Sequence, residues 1–318
     1  MYTGIAIALA WPETLCKCPQ SWYDIPMKKL GICKNDYYKV GHAAVVLINA
    51  HTGKCFYFDF GRYHTPNGYG RVRDEQTDHD LKIHTHALLN KNLEILNYHK
   101  IIEEIANNES CHGTGKIYAS YIPINFEKSY IKAKLLQKQS PIKYGPFLWT
   151  ATNCSRFVRT VILSGNPPSL NKIKIFFPPG ISPFPINNVN ALKNIISYTP
   201  KNSLTSCNFS NLKMPSNIPH NSQWLSGVGA GSWFHIVPYD KNLFCISRYN
   251  PAGKLECQSI FKITNHQHFD ITQPYIFTYL SHCDMVNILQ NNRIIQFSRI
   301  NHQKDIILSE YNAISSMC

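Results

Sequence analysis

The sequence predicts an α+β protein in two parts, an antiparallel sheet packed on a cysteine-bearing helix and then a β-rich unit. Three observations lead there. Residues 40–60 read as strand, turn and strand; residues 153–165 carry a helix with its own start and stop signals; and after a Pro-rich stretch the apolar runs become short and strand-like. The expected boundaries are a first domain over 1–165, a Pro-rich linker over 166–185 and a β-rich domain of unassigned role over 186–318.

Taken in order, the run from Gly4 to Ala10 is apolar throughout. No Lys or Arg precedes it and Trp11, Pro12 and Glu13 follow at once, so it reads as a buried strand rather than the core of a leader. The hairpin runs from Val40 to Ile48, turns through Asn49 to Gly53 and returns from Lys54 to Phe60. A loop with Gly61, Pro66, Gly68 and Gly70 carries Arg62, His64, Arg71 and Arg73. A helix is expected from Tyr98 to Asn107, a third strand from Lys116 to Ile122, and a helix from Phe126 to Gln137 that Asn125 can cap.

Asn153 is a good N-cap and Gly165 a good stop for the next helix. Residues 154, 157, 158, 161 and 162 fall on one face, which puts Cys154 in the first turn on the side toward the core. Pro167, Pro168, Pro178, Pro179, Pro183 and Pro185 then argue against continuous helix or central strand. A short helix is expected around Asn188 to Ser197, and strands at Ser232 to Ile236, Leu243 to Tyr249, Ser259 to Ile263, Tyr275 to Tyr279 and Ile294 to Ile300.

Composition bounds the function. At 318 residues and 44% hydrophobic content the chain can bury one large core or two ordinary ones. Lys and Arg outnumber Asp and Glu by 32 to 19, and a net charge of +13 favours an acidic partner such as phosphate, nucleic acid or an anionic lipid surface. The basic residues are dispersed, as in Lys28 with Lys29, the pattern of a solvated surface, which argues against nucleic acid. Eleven cysteines fit neither a disulfide framework nor a zinc site, since Cys16 and Cys18 are too close for a metal knuckle. His79, His84, His86 and His112, with Asp78 and Asp80, lack metal-ligand spacing as well. A reduced, cytoplasmic protein without metal or cofactor is the expectation. No apolar run approaches the roughly 20 residues of a membrane-spanning helix.

The chemistry is expected at Cys154. A helix N-terminus lowers a thiol pKa through unpaired N–H groups and the axial dipole, and the same N–H groups can receive an oxyanion. His42, at the start of an apolar strand beside Gly41, is the candidate base. With the hairpin turn centred near Thr52, residue 42 lies opposite residue 61 or 62 and Asp59 falls diagonally beside it, placed to orient the imidazole. Tyr57 shares that face, and His64 is the alternative third member if the loop folds back. Arg62, Arg71 and Arg73 are candidates for an anionic group of an amide- or ester-containing substrate, or else belong to a solvated loop. Trp11, Glu13, Tyr144 and Trp149 either line the cleft or pack in the core. The competing reading is a binding module without chemistry, recognising a cell-wall, protein or nucleic-acid ligand.

Over residues 38–165 the order of parts resembles the circularly permuted NlpC-type and lecithin retinol acyltransferase-like papain-fold families. The residues that carry the resemblance are Gly41, His42 and Ala43 in the first strand of the hairpin, the run Asn153, Cys154, Ser155, Arg156, Phe157 and Val158, and Tyr144 with Gly145 upstream of the cysteine. The resemblance implies a papain-like fold and a cysteine hydrolase, such as an amidase or peptidase, or an acyltransferase acting through an acyl-enzyme. Where those families commonly place a His on the strand after the catalytic His, this chain offers Asp59 and Tyr57. The opening segment also resembles a bacterial family of unknown function, which adds no chemistry.

Overall fold

The computed structural model describes residues 1–18, 25, 29, 33–34, 37–145, 150–177, 184–200, 213–227 and 231–300. Two compact units emerge, one of Met1–Arg62, Asn67–Glu75 and Asp80–Asn208, the other of Tyr63–Pro66, Gln76–His79 and Phe209–Cys318.

The strands of the first unit are β1 (Gly4–Trp11), β2 (Leu15–Lys17), β3 (Cys33–Lys34), β4 (Tyr37–Lys39), β5 (His42–Asn49), β6 (Cys55–Gly61), β7 (Tyr69–Arg73), β8 (Ile117–Ile124), β9 (Ile142–Lys143) and β10 (Lys193–Tyr198). Its helices are α1 (Tyr98–Ala106), α2 (Phe126–Lys138), α3 (Cys154–Ser164), α4 (Ser169–Phe176) and α5 (Pro185–Asn190). Seven strands form one sheet in the order β10-β8-β1-β5-β6-β7-β9, and β2, β4 and β3 make a small one.

The sequence of β1 explains why it sits at the centre. Ile5, Ile7 and Leu9 point to one face, where they meet Ile101, Ile102 and Ile105 of α1. Ala6, Ala8 and Ala10 point to the other, where small side chains leave room for Phe157, Val158, Val161 and Ile162 of α3. The fold class is therefore α+β, with the antiparallel sheet packed on the cysteine helix.

The second unit contains β11 (Gln223–Ser226), β12 (Gly231–Asp240), β13 (Leu243–Tyr249), β14 (Leu255–Ile263), β15 (Ile276–Thr278), β16 (Met285–Gln290) and β17 (Arg293–Arg299). They form one sheet in the order β11-β12-β13-β14-β17-β16-β15. Its two edges approach each other through Gln223, whose Nε2 donates to the Tyr275 carbonyl at 3.0 Å and whose Oε1 accepts from the Phe277 amide at 3.0 Å. The sheet is thus nearly a closed barrel, filled by Phe234, Phe261, Phe277 and Phe297. Within this unit the buried Arg248 guanidinium pairs with Asp78 at 2.9 Å and Glu256 at 2.6 Å.

Several expected elements take another form. Residues 69–73, expected in a loop, form β7, because Tyr69, Arg71 and Arg73 alternate with Gly70 and Val72 in a period of two. In the stretch expected to be a linker, prolines start helices: Pro168 is the N-cap of α4 and Pro185 the first residue of α5. Pro178, Pro179 and Pro183 lie outside the described residues. The chain expected to be helical to Ser197 leaves α5 at Asn190 and joins the first sheet as β10 against β8. No described helix is long and apolar enough to cross a membrane.

Candidate active site

The site is assembled where β5 begins. Gly41 precedes it with φ +77°, and a Cβ there would stand 2.8 Å from the Trp11 carbonyl oxygen, so only glycine brings the chain past β1 at this point. His42 is then paired with Trp11 across the strands, and the two rings stack with centroids 5.7 Å apart.

The β5-β6 register sets Ala44 opposite Asp59, which leaves Asp59 diagonal to His42 on the same face. His42 Nε2 lies 3.3 Å from Asp59 Oδ2. Tyr57 Oη donates to the same oxygen at 3.2 Å. Arg73, opposite Asp59 on β7, closes the carboxylate with a fork: Nε donates to Oδ1 at 3.0 Å and Nη2 to Oδ2 at 2.6 Å. Arg73 Nη2 also donates to the Ser110 carbonyl at 3.0 Å. A carboxylate with no exposed surface would ordinarily be pushed toward the neutral form by burial. Here the Arg73 charge and the hydrogen bonds from His42 and Arg73 outweigh that, and Asp59 stays well below the usual carboxylate range.

Cys154 arrives from the other face of the sheet. Asn153 caps α3 by accepting from the Arg156 amide at 2.8 Å, which fixes Cys154 as the first helical residue. The thiol reaches past the start of β5, where the His42 side chain and the Ala43 backbone N–H act on it. Burial alone would raise its pKa. The hydrogen bond and charge of His42 win, and the thiol is lowered. Burial likewise pulls the imidazole down, but hydrogen bonds to Asp59 and Cys154 and their charges lift His42 to about 9. Both shifts favour the charged forms, a thiolate beside an imidazolium. Cys154 is 7% exposed.

The other expected site residues fall around or away from this centre. Arg62 is buried with its guanidinium 5.0 Å above the Tyr144 ring, which stacks on Phe60 at 5.7 Å. Arg71 is buried opposite Gly61. His64 belongs to the second unit and meets Phe234 edge-on; the carboxylate that accepts from His42 is that of Asp59. Arg73, read as a possible ligand contact in a loop, is instead committed to the buried Asp59. Glu13 is exposed, and Trp149 lies outside the described residues. Trp11, expected either to line the cleft or to pack in the core, stacks on His42, and one neighbour has no forewarning in the sequence: Cys16, whose thiol reaches the Gly41 carbonyl at 3.7 Å and is pushed by burial to about 11. No spacing rule marks Cys16. Among the described residues no cluster of His, Cys, Asp and Glu could hold a metal ion.

A thiol, an imidazole and a carboxylate joined in series on an α+β scaffold define the class of site. The chain belongs to the type VI secretion system effector TseH-like family, whose model matches residues 6–169. Residues 222–300 match a second family, the DUF6695 C-terminal domain. A crystal structure of a type VI secretion system effector, TseH, is similar at 18% identity, covering 62% of this chain and 93% of that one, with a TM-score of 0.42. No curated protein matches the chain.

Proposed function

We propose that the first unit is a papain-like cysteine hydrolase or acyltransferase of the NlpC and lecithin retinol acyltransferase type, with Cys154 as nucleophile, His42 as general base and acid, and Asp59 as orienting residue. The observation that carries this reading is the imidazole 3.3 Å from the Asp59 carboxylate and close enough to the Cys154 thiol for each to shift the other's pKa. With Nε2 engaged by Asp59, Nδ1 is left for the thiol.

In the reaction the thiolate attacks the carbonyl carbon of an amide or ester, and the oxyanion is received by N–H groups of the first turn of α3. The bond from carbon to the leaving nitrogen or oxygen breaks as the imidazolium gives that atom its proton. Neutral His42 then takes a proton from water, for hydrolysis, or from an acceptor, for acyl transfer, and the thioester is cleaved. Tyr57 and Arg73 hold Asp59 in place throughout. Arg62, close enough to Cys16 to oppose the rise in its pKa, supports an anionic group on the substrate, with Tyr144 beside it. The family's name as a secretion-system effector supports a site of action outside the producing cell rather than the cytoplasm.

The test is intact-mass analysis after treatment with an electrophilic acyl or amide probe. One adduct on the native chain, absent from Cys154→Ala and strongly reduced in His42→Ala, is expected. An adduct that survives Cys154→Ala would overturn the assignment and leave a binding module as the better reading.

A further inference from the structure

The helix α4 presents an unusual outer face. At about 100° per residue, Leu170, Ile173, Phe176 and Phe177 fall on one arc, and all are exposed, at 77%, 58%, 52% and 72%. Phe184, just before α5, adds another exposed ring at 54%. The opposite arc is already satisfied: Ile175 is buried in the core and Asn171 donates to the Ala191 carbonyl at 2.8 Å. Among the described residues the apolar arc is therefore surplus to the fold. Lys172 and Lys174 stand at its two edges, both exposed, and the Arg159 guanidinium lies 5.5 Å from the Phe176 ring.

The surrounding sequence has the same sign. From Lys128 through Tyr239 there are 12 Lys and Arg and no Asp or Glu, nearly the whole net charge of +13. We infer that α4 is a docking surface for an anionic lipid bilayer, lying in the interface with Leu170, Ile173 and Phe177 dipped into the acyl boundary and Lys172 and Lys174 on headgroup phosphates. An apolar arc edged by lysines is the pattern of an interfacial helix. Aliphatic side chains such as Leu170 and Ile173 offer nothing to a nucleic-acid base, whereas hydrocarbon accepts them. A second copy of the chain would bring lysines against lysines. This inference is independent of the proposed chemistry, since none of these residues touches the Cys154 site.

The test is vesicle co-sedimentation of the full chain on phosphatidylcholine with and without about 30 mole per cent phosphatidylglycerol, a composition that supplies the negative surface potential. Binding to the anionic vesicles only, weakening with salt, is expected. Lys172→Gln with Lys174→Gln should weaken it by about 25-fold, from roughly fivefold per lysine near the surface. Leu170→Ser with Ile173→Ser should weaken it by at least about tenfold. Both pairs are exposed, so circular dichroism should be unchanged, and Cys154→Ala should bind like the native chain. Absence of binding, binding equal in all variants, or equal binding to phosphatidylcholine alone would overturn the inference. So would a dimer in light scattering that Ile173→Ser dissolves, or an RNA or DNA gel shift lost in the same variants without vesicle binding.

Discussion

The most direct consequence of the site geometry concerns the acidity of Cys154. An ordinary thiol with a pKa of about 8.5 is only about 0.3% ionised at pH 6. Cys154 is lowered by the hydrogen bond and charge of His42, whereas burial pushes Cys16 to about 11 and Cys55 and Cys111 to about 12. At pH 6 and low reagent dose, iodoacetamide should therefore label Cys154 before those three. His42→Ala removes the imidazolium and leaves burial, which raises the thiol, as the governing influence. The thiolate fraction at pH 6 should then fall to the about 0.3% of an unassisted thiol or below it. The assay is peptide mapping of carbamidomethylated cysteines against pH in both chains, with circular dichroism as a check on folding. Labelling of Cys154 that follows the same pH curve with and without His42 would refute the reasoning, as would Cys16 reacting first.

Other outcomes follow from the same contacts. Turnover that needs the imidazolium as proton donor should decline as pH rises through about 9, where His42 loses its proton, and a pH–rate profile checks this. Asp59→Asn leaves the Arg73 guanidinium buried without its counter-charge and should cost about 3–5 kcal/mol in urea unfolding. Because Asp59 is depressed when folded, its contribution to stability is complete above its ordinary pKa of 3.8 and is lost as pH falls through the lower folded value, so acid unfolding of the native chain should be steeper than that of Asp59→Asn. Gly41→Ala forces a left-handed backbone on a residue with a Cβ and should cost about 1–3 kcal/mol in thermal unfolding while slowing Cys154 labelling through a displaced His42.

What was legible in the sequence was what depends on local signals. Asn153 and Gly165 mark the ends of α3, and that is enough to place Cys154 in its first turn. The hairpin turn at Asn49 to Gly53 sets a register, and a register is enough to put Asp59 diagonal to His42. What was not legible depends on non-local pairing or on residues with two uses. A proline near a helix start and a proline in a linker look alike until the following backbone is seen, which is why α4 reads as connection and the helix expected from Asn188 starts instead at Pro185. Met285–Gln290 lacks the β-branched run that would separate it from a loop, and it becomes a strand because β17 and β15 flank it.

Arg73 shows most clearly why charge alone misleads. Three arginines within the span from Arg62 to Arg73, near glycines, suggest a basic loop waiting for an anion. The anion that Arg73 takes is the chain's own Asp59, because residues 69–73 alternate as a strand and the pairing of β6 with β7 sets the two side chains opposite each other. The fork orients the carboxylate and keeps it ionised in a buried place, and an ionised carboxylate is what holds the His42 proton. Loss of the guanidinium should therefore act at the thiol, through Asp59 and then His42. Arg73→Met would let burial push Asp59 toward its neutral form, weaken the hold on the imidazole and move the Cys154 labelling midpoint toward that of an ordinary thiol. Arg73→Lys, a point charge without the fork, should restore part of the shift. A labelling midpoint unmoved in Arg73→Met, in a chain that still folds, would show that Asp59 keeps its charge without that partner.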